Sequence, residues 1–283
     1  MFKQCMKNGF NIADVVDLVK WKIDDYRQHP YWFRTFGTCV FCGAQGEGKT
    51  LSAVQYVLNI AKEYPHCIVV SNVAIRDLPF NTVLVPDEEI PDKYNLYNYA
   101  QAEYIDTEWI RKHAGDEDFQ HICIEYTGLE MLKYVNNNEY GVVYLIDEIH
   151  LELNSLESKN IDIEVMVEIS QQRKQRKHIV GTSQVYMRMA KPLREQIHDI
   201  ILCSNWFGFI QYNRWIKGET CYEENGKLKA DVNGRFIWTH SPDMYQQYDT
   251  YTKMKRYNKE WNGRKRIDNI YERGEIIDLE FKK

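Results

Sequence analysis

Long apolar runs are missing from this sequence of 283 residues. The longest, Val142–Ile146, has five residues, whereas a helix that crosses a membrane needs about 18 or more. The apolar region of a secretory signal is also missing, because Asp14 interrupts the amino-terminal segment early. We therefore expect a cytoplasmic protein with no transmembrane segment, in which any membrane role is supplied by a partner.

A strong excess of one charge sign is missing as well. The 36 Lys and Arg residues are balanced by 41 Asp and Glu residues, so the net charge is −5, which excludes a uniformly basic coat for nucleic acid. Two basic islands remain: 171–194 has seven Lys or Arg and no acid, and 253–266 has seven with the single acid Glu260. Such islands can follow a nucleic-acid backbone, or they can be ordinary solvated surface.

The even set of cysteines that is typical of disulfide-linked secreted domains is missing too. There are seven cysteines, mostly inside apolar runs, and this favours reduced, buried thiols. Cys39 and Cys42 have the C-x-x-C spacing, but along an extended strand an offset of three places two side chains on opposite faces. The pair is therefore expected to pack in the core rather than to bind a metal or form a disulfide.

What the sequence does contain is an alternation of strand-like and helix-like segments. The predicted strands are apolar runs with little polar alternation, at 38–42, 66–72, 82–85, 141–147, 177–184 and 199–205. Helical periodicity lies between them, near 51–61, 100–113, 125–135, 161–176 and 190–197. Continuous apolar strands are typical of a parallel sheet covered on both faces, so the pattern predicts a three-layer α/β domain.

The pattern changes after residue 206. Short extended segments are separated there by Asn-Gly turns at 225–226 and 233–234, which are typical of β-hairpins. A helix-like stretch at 14–26 precedes the first strand. The predicted organisation is an N-terminal helical extension at 1–36, an α/β core at 37–205, a β-hairpin module at 206–250 and a basic C-terminal tail at 251–283.

A glycine-rich loop directly follows the first predicted strand. Residues 43–50 read Gly-Ala-Gln-Gly-Glu-Gly-Lys-Thr, which fits the phosphate-binding pattern G-x-x-x-x-G-K-[ST]. In this pattern backbone N–H groups and the amino terminus of the next helix hold phosphate, the lysine neutralises its charge, and the threonine hydroxyl binds Mg²⁺. The predicted ATP-binding residues are Gly43, Ala44, Gln45, Gly46, Glu47, Gly48, Lys49, Thr50 and Leu51.

Two acidic residues follow the apolar strand Val142–Ile146. Asp147 is placed where an open α/β sheet binds ligands, and we predict that it joins Thr50 in holding Mg²⁺. Glu148 comes next, and we predict that it activates the water that attacks the γ-phosphate. A glutamate in this position favours hydrolysis over phosphoryl transfer to a small molecule. His150 is expected to be a structural neighbour.

Three further side chains are catalytic candidates. Gln184 ends the strand at 177–184, which we expect to lie beside the two motif-bearing strands, so its amide can contact the γ-phosphate or the attacking water. Arg173 and Arg176 end the helix-like stretch before that strand and are candidates for an arginine that reaches the γ-phosphate of a neighbouring subunit. Arg188 and Arg194 compete for that role. Alternatively, these arginines only stabilise the end of a helix.

Together these motifs resemble the FtsK/HerA superfamily of nucleic-acid-pumping ATPases. Within it the chain is most similar to the zonula occludens toxin-like (Zot-like) branch, which includes the filamentous-phage assembly ATPase, and to viral genome-packaging ATPases. The resemblance covers about 38–205 and implies an α/β three-layer P-loop NTPase of the ASCE type, with a mostly parallel central sheet. It also implies a homo-oligomeric ring of five or six subunits. Filamentous-phage assembly ATPases carry a membrane span after the ATPase domain, and this chain has a hairpin-rich segment there instead.

The expected function is ATP-driven DNA translocation by a phage or mobile-element packaging motor, which in a phage would act in the host cytoplasm. The expected ligands are ATP, Mg²⁺ and DNA, and the expected docking partner is a capsid portal or a membrane complex. One alternative is an assembly or secretion ATPase that acts on a membrane or capsid machine without pumping DNA. Another is a nucleotide-binding switch or a small-molecule kinase, although no Asn-Lys-x-Asp guanine-reading motif is present.

Overall fold

The computed structural model describes residues 12–35, 37–153, 162–224 and 227–248, without the side chains of 223–224 and 227–229. The basic tail predicted at 251–283 and the Asn-Gly turn predicted at 225–226 lie outside the described residues. The helices are α1 (Ile12–Gln28), α2 (Lys49–Glu63), α3 (Thr107–His113), α4 (Met131–Tyr134), α5 (Ile163–Ser170), α6 (Lys191–Arg194) and α7 (Pro242–Tyr245). None of these helices is both long enough and apolar enough to span a membrane.

The described strands form one large sheet and one small hairpin. They are β1 (Gly37–Cys42), β2 (Ile68–Ser71), β3 (Thr82–Pro86), β4 (Tyr94–Asn98), β5 (Glu103–Ile105), β6 (Cys123–Glu125), β7 (Val142–Ile146), β8 (Lys177–Ser183), β9 (Ile197–Trp206), β10 (Ile210–Lys217), β11 (Tyr222–Glu224), β12 (Lys227–Lys229) and β13 (Val232–Thr239). The large sheet has eleven strands in the order β13-β10-β9-β1-β8-β7-β2-β6-β3-β4-β5, and β11 pairs only with β12.

The middle of the large sheet is parallel. The strands from β9 through β1, β8, β7, β2 and β6 to β3 run in one direction, and antiparallel strands extend the sheet at both ends. Strand β8 lies between β1 and β7, with Val40 opposite Gly181 and Leu145 opposite Val180. The predicted α/β class with a mostly parallel central sheet is confirmed, and the polar loops after β1, β7 and β8 meet at one edge.

Two apolar clusters, one on each face of the sheet, make up the core. Val40 and Cys42 point into one cluster, and Cys39 and Phe41 point into the other. The prediction for the C-x-x-C pair is therefore confirmed, because its two sulfurs lie on opposite faces. All six cysteines among the described residues are free. Burial raises the pKa of Cys67 to about 12, which keeps that thiol protonated at neutral pH.

The structure differs from the sequence prediction in the extent of several elements. The helices expected at 125–135 and 161–176 contain only α4 and α5. Strand β4 was not predicted, because Tyr94–Asn98 alternates polar and apolar residues only weakly. The helix predicted near 100–113 is wrong in its first part, where β5 is a strand at Glu103–Ile105, and only α3 is helical. Strands β10 and β13 pair next to β9 within the large sheet, so the boundary placed at 206 falls inside a continuous sheet.

Candidate nucleotide-binding site

The loop after β1 requires glycine at two positions. Gly46 and Gly48 have φ angles of 84° and 74°, a left-handed conformation that side chains disfavour. A Cβ atom on Gly48 would lie 2.1 Å from Oε1 of Gln211, whereas one on Gly46 would meet nothing within 4 Å. The loop is thus packed against β10 on one side and open to solvent on the other, where an anion can reach its backbone N–H groups.

Lys49 begins α2 directly beneath this open side. Its side chain is buried, and Nζ donates a hydrogen bond of 2.9 Å to the carbonyl oxygen of Ala44. The ammonium group therefore lies across the loop rather than pointing into solvent. The first N–H groups of α2 have no acceptor within the helix, and the positive end of the helix dipole adds to their attraction for an anion. These features together form a cradle for phosphate oxygens.

Asp147 lies opposite the loop, at the carboxyl end of β7. Its Oδ1 accepts hydrogen bonds from the hydroxyl groups of Thr50, at 2.9 Å, and Thr182. Thr50 belongs to the loop motif, so the two predicted metal ligands are brought together. Mg²⁺ prefers oxygen ligands and takes only one or two protein groups besides phosphate and water. The carboxylate and hydroxyl found here fit that ion.

Asn72 fixes the backbone of Asp147 and was not predicted as a site residue. Its side-chain oxygen accepts from the N–H of Asp147 at 2.8 Å, and its side-chain nitrogen donates to the carbonyl oxygen of Asp147 at 3.0 Å. This two-way contact joins the ends of β2 and β7, which are neighbours in the sheet. A polar residue directly after an apolar strand was the available signal, and the strand order was needed to connect it with Asp147.

Glu148 adopts a conformation that is rare for a residue with a side chain. Its φ angle is 57° and its ψ angle is 44°, and its N–H donates to the Thr182 hydroxyl at 2.9 Å. Its carboxylate oxygens lie 3.4 Å from the amide nitrogen of Gln184 and 3.3 Å from Nδ1 of His150. Such strained backbone positions concentrate at functional sites. The structure therefore places Glu148 and Gln184 side by side at the edge of the sheet that carries the loop.

The two predicted arginines lie at the amino ends of the parallel strands, opposite to the phosphate loop. Arg173 and Arg176 precede the amino end of β8, whereas the phosphate loop follows the carboxyl end of β1. Arg176 pairs with Glu139 at 2.8 Å and donates to the carbonyl oxygen of Phe33 at 2.7 Å, so it ties three segments of its own chain together. Arg173 is exposed. Neither arginine is part of the cluster formed by Lys49, Thr50, Asp147 and Glu148.

The basic island at 171–194 is also divided by the fold. Lys177 is buried and pairs with Glu168 at 2.9 Å, and burial lowers the pKa of this lysine. Arg188 and Lys191 are exposed beyond the carboxyl end of β8. The cations that are continuous in sequence therefore lie at two ends of the sheet, because β8 passes between them.

A buried polar chain links the loop to the β9–β10 hairpin. Gln211 is fully buried, and its amide donates to the carbonyl oxygen of Glu47 at 2.9 Å and to the side chain of Asn213 at 2.8 Å. Asn213 donates in turn to the hydroxyl of Ser52 in α2 at 3.1 Å. On the outer side, His240 bonds to Gln211 at 3.0 Å. Sequence reasoning missed these residues, because nothing local distinguishes them from other polar strand residues.

No protein-family profile matches this chain, and neither does any curated protein sequence. Solved structures similar to it include the N-terminal domain of zonular occludens toxin from Neisseria meningitidis, with 18% identity, a TM-score of 0.44, and coverage of 76% of this chain and 100% of that one. Another is the genome packaging NTPase B204 from Sulfolobus turreted icosahedral virus 2 in complex with ATP-gammaS, with 10% identity, a TM-score of 0.41, and coverage of 73% of this chain and 97% of that one. A third is a KaiC-like protein from Pyrococcus horikoshii, with 12% identity, a TM-score of 0.37, and coverage of 72% of this chain and 89% of that one.

Three features of this chain occur together in one known fold. They are the parallel sheet, the phosphate loop between β1 and α2, and the acidic residues after β7. In that fold the strand before the loop and the strand that carries the metal-binding acid end at the same edge, as β1 and β7 do here on either side of β8. The chain has the fold of P-loop NTPases.

Proposed function

We propose that this protein is an ATP-driven DNA translocase that serves as the packaging motor of a phage or mobile element. One observation carries the proposal. The phosphate loop, the Thr50–Asp147 hydroxyl–carboxylate pair and Glu148 converge at one edge of the sheet, and Lys49 lies across the loop. This arrangement can bind a nucleoside triphosphate and direct water against it, because it combines an anion cradle, a metal-ligand pair and a base.

Each side chain has a separate role in hydrolysis. The loop N–H groups and Lys49 hold the β- and γ-phosphates, while Thr50 and Asp147 hold Mg²⁺. When bound, the ion neutralises the charge that develops on the phosphate oxygens. Glu148 orients the attacking water and accepts its proton, and Gln184 keeps the Glu148 carboxylate in position through their contact of 3.4 Å.

DNA handling and assembly complete the proposal. A homo-oligomeric ring of five or six subunits would carry DNA along its exposed cations, among them Arg188 and Lys191, and would dock on a capsid portal or a membrane complex. Arg173 is the arginine we propose to act on a neighbouring subunit's phosphate, because its side chain is exposed. Arg176 is the second candidate, and its half-buried guanidinium holds Glu139 and Phe33.

Two substitutions test the hydrolytic part. Lys49→Ala should abolish binding of Mg·ATP, since the loop loses its charge, whereas Lys62→Ala at the exposed end of the same helix should leave binding unchanged. Glu148→Gln should keep nucleotide affinity while slowing turnover by about 10²–10⁴-fold, the usual contribution of a positioned base. Phosphate release and a fluorescent ATP analogue measure the two effects. Normal hydrolysis by the Glu148 variant would refute the assignment.

The DNA part has its own test. A translocase should hydrolyse ATP faster with DNA, and this stimulation should weaken steeply with salt, because bound phosphates release counterions. An assembly or secretion ATPase that does not pump DNA should show turnover without such stimulation. A kinase would instead transfer the γ-phosphate to a metabolite, which product analysis with labelled ATP would detect.

A further inference from the structure

Helix α1 is an amphipathic helix whose apolar side is exposed in the described part of the chain. It spans 17 residues, and none of them is buried. Five apolar side chains are between 45% and 70% exposed, namely Ile12, Val16, Val19, Ile23 and Tyr26. Most of the stability of a helix in a protein comes from packing of its amphipathic face. The apolar side of α1 is therefore a candidate contact surface.

The spacing of these five residues is that of a helix-packing seam. They follow one another at intervals of four, three, four and three, which keeps them in a single stripe along one side of the helix. Four of the five are β-branched, and such side chains lose little rotamer freedom when they are packed. Leu18 and Trp21 are also exposed, but the helical period places them away from the stripe.

The edges of the stripe are basic. Lys20 and Arg27 lie on one edge, and each makes an exposed ion pair within α1, with Asp17 at 3.9 Å and with Asp24 at 3.8 Å. Lys22 lies on the other edge. Exposed pairs of this kind are worth at most about 1 kcal/mol, so these cations can also pair with a partner surface. Two α1 helices packed against each other would bring these cations together, and like charges in flanking positions oppose pairing. The stripe therefore favours an apolar partner surface with acidic edges.

The same chain carries such a surface beside α5. A cavity of about 540 Å³ lies there. Its apolar floor includes Ile163 and Val167, which are one helical turn apart and 79% and 43% exposed. Acidic side chains of Asp92, Glu164 and Glu168 surround that floor.

Among the described residues, two lysines offset part of the charge of this groove. The buried Lys177 pairs with Glu168 at 2.9 Å. Lys133 pairs with Asp162 and with Glu164, but the Glu164 side chain stays 76% exposed. The groove therefore keeps acidic groups that a basic helix edge can reach.

Helix α1 does not occupy this groove in its own chain. Its carboxyl end is held near β1 by Arg34, which pairs with Asp25 at 3.2 Å and lies 4.7 Å from the ring centre of Tyr26. The rest of the stripe, from Ile12 to Ile23, remains exposed. Within the described residues, the groove and the stripe are thus two different, complementary surfaces of one molecule, and neither covers the other.

We propose that α1 of one copy docks in the acidic groove beside α5 of the next copy. The contact is head-to-tail, because the two surfaces differ, and repetition of such a contact closes into a ring when the rotation between copies allows it. The proposal rests on the ring of the proposed function and deepens it by naming its surfaces. The contact needs no nucleotide, so assembly can be measured separately from hydrolysis.

The first experiment compares two double variants of the full chain by light scattering across a concentration series. Val19→Asp with Ile23→Asp places charge in the stripe and should raise the concentration of half-assembly by about tenfold or more, since the burial of two apolar side chains is lost. Leu18→Asp with Trp21→Asp is the matched control outside the stripe and should assemble like the wild type. All four positions are exposed, so the fold is retained, and binding of a fluorescent ATP analogue checks it.

The second experiment exchanges charges. Lys20→Glu with Lys22→Glu should weaken assembly, as should Asp92→Lys with Glu164→Lys, and the chain that carries all four changes should recover it. Stripe variants that assemble like the wild type, or a fourfold variant no better than either pair, would overturn the docking proposal. A wild-type chain that stays monomeric and binds anionic vesicles through α1 would also overturn it. A Lys49→Ala variant that loses ATP binding but still assembles would support the docking proposal, because the contact needs no nucleotide.

Discussion

Thr182 connects the two acids of the site through a single hydroxyl group. Its oxygen donates a hydrogen bond to the Asp147 carboxylate and accepts one from the N–H of Glu148. The hydroxyl thereby satisfies the N–H of Glu148, whose backbone is left-handed, and also holds the carboxylate of Asp147, the proposed metal ligand. Thr182 is fully buried, so no water can replace it without a rearrangement.

Thr182→Val should therefore damage both stability and turnover. Removing the hydroxyl leaves the N–H of Glu148 and the Asp147 carboxylate each with one partner fewer, which costs about 1–3 kcal/mol. We expect a lower denaturation midpoint together with a higher Mg²⁺ requirement for hydrolysis. Thr38→Val is the matched control, because Thr38 is equally buried and bonds to Gln172 at the far end of the sheet. Thr38→Val should lower the denaturation midpoint but keep the wild-type Mg²⁺ requirement. An unchanged Mg²⁺ requirement in Thr182→Val would contradict the role assigned to this hydroxyl.

At the scale of elements, the β9–β10 hairpin supports the phosphate loop from the side. Strand β9 pairs with β1 in parallel and with β10 in antiparallel, so the hairpin is built onto the strand that leads into the loop. Glu47 adds a contact, because its carboxylate accepts from the N–H of Asn205 at 2.5 Å. The loop conformation therefore depends on strands more than 150 residues away along the chain.

Gln211→Leu should test that dependence. The substitution removes the donor to the Glu47 carbonyl oxygen and leaves Asn213 with one partner fewer. We expect KM for ATP to rise by about tenfold, the equivalent of one lost hydrogen bond in a buried place, while kcat changes much less. Tyr212→Leu is the control on the next position of β10, where the ring stacks on Trp206 instead. Its KM should stay at the wild-type value. A Gln211 variant with normal KM would show that the loop holds its shape unaided.

At the scale of the whole molecule, two histidines should make the free energy of unfolding depend on pH. His66 stacks against Tyr31 with ring centres 4.6 Å apart, and Nδ1 atoms of both His66 and His121 are buried without a hydrogen-bond partner. Burial lowers the pKa of His66. The pKa of His121 is lowered, chiefly by burial, although a hydrogen bond to the backbone of Cys67 partly opposes this effect and the charge of His66 adds a smaller lowering.

The free energy of unfolding should therefore fall as the pH drops below about 6.5, the ordinary pKa of histidine. Both groups have a lower pKa in the folded state than in the unfolded state, so in that range the unfolded chain binds more protons and is favoured by acid. At higher pH both histidines are neutral in the folded and the unfolded chain, so they should not change the free energy of unfolding with pH. Urea denaturation at two pH values, about one unit on either side of that pKa, measures the difference, and His66→Phe with His121→Phe should reduce it. An equal pH dependence in wild type and double variant would refute the prediction.

The sequence alone determined the α/β class, the phosphate loop and the acidic pair after β7. Each of these is local: apolar runs reveal buried strands, and loop glycines at set spacing reveal a backbone that other residues disfavour. The faces of Cys39 and Cys42 were also predictable, because strand geometry alternates regardless of context. The lengths of the helices were less predictable, because the helical periodicity at 161–176 continues beyond the end of α5 at Ser170.

Only the tertiary structure decided which distant groups meet. The strand order places Asn72 and Thr182 against Asp147, puts Gln211 beneath Gly48, and separates Arg176 from the phosphate loop by the length of β8. It also leaves the stripe of α1 uncovered and forms the acidic groove beside α5. The physical reason is that hydrogen bonds and charge pairs act over a few ångströms in space, while the residues that make them are scattered along the chain.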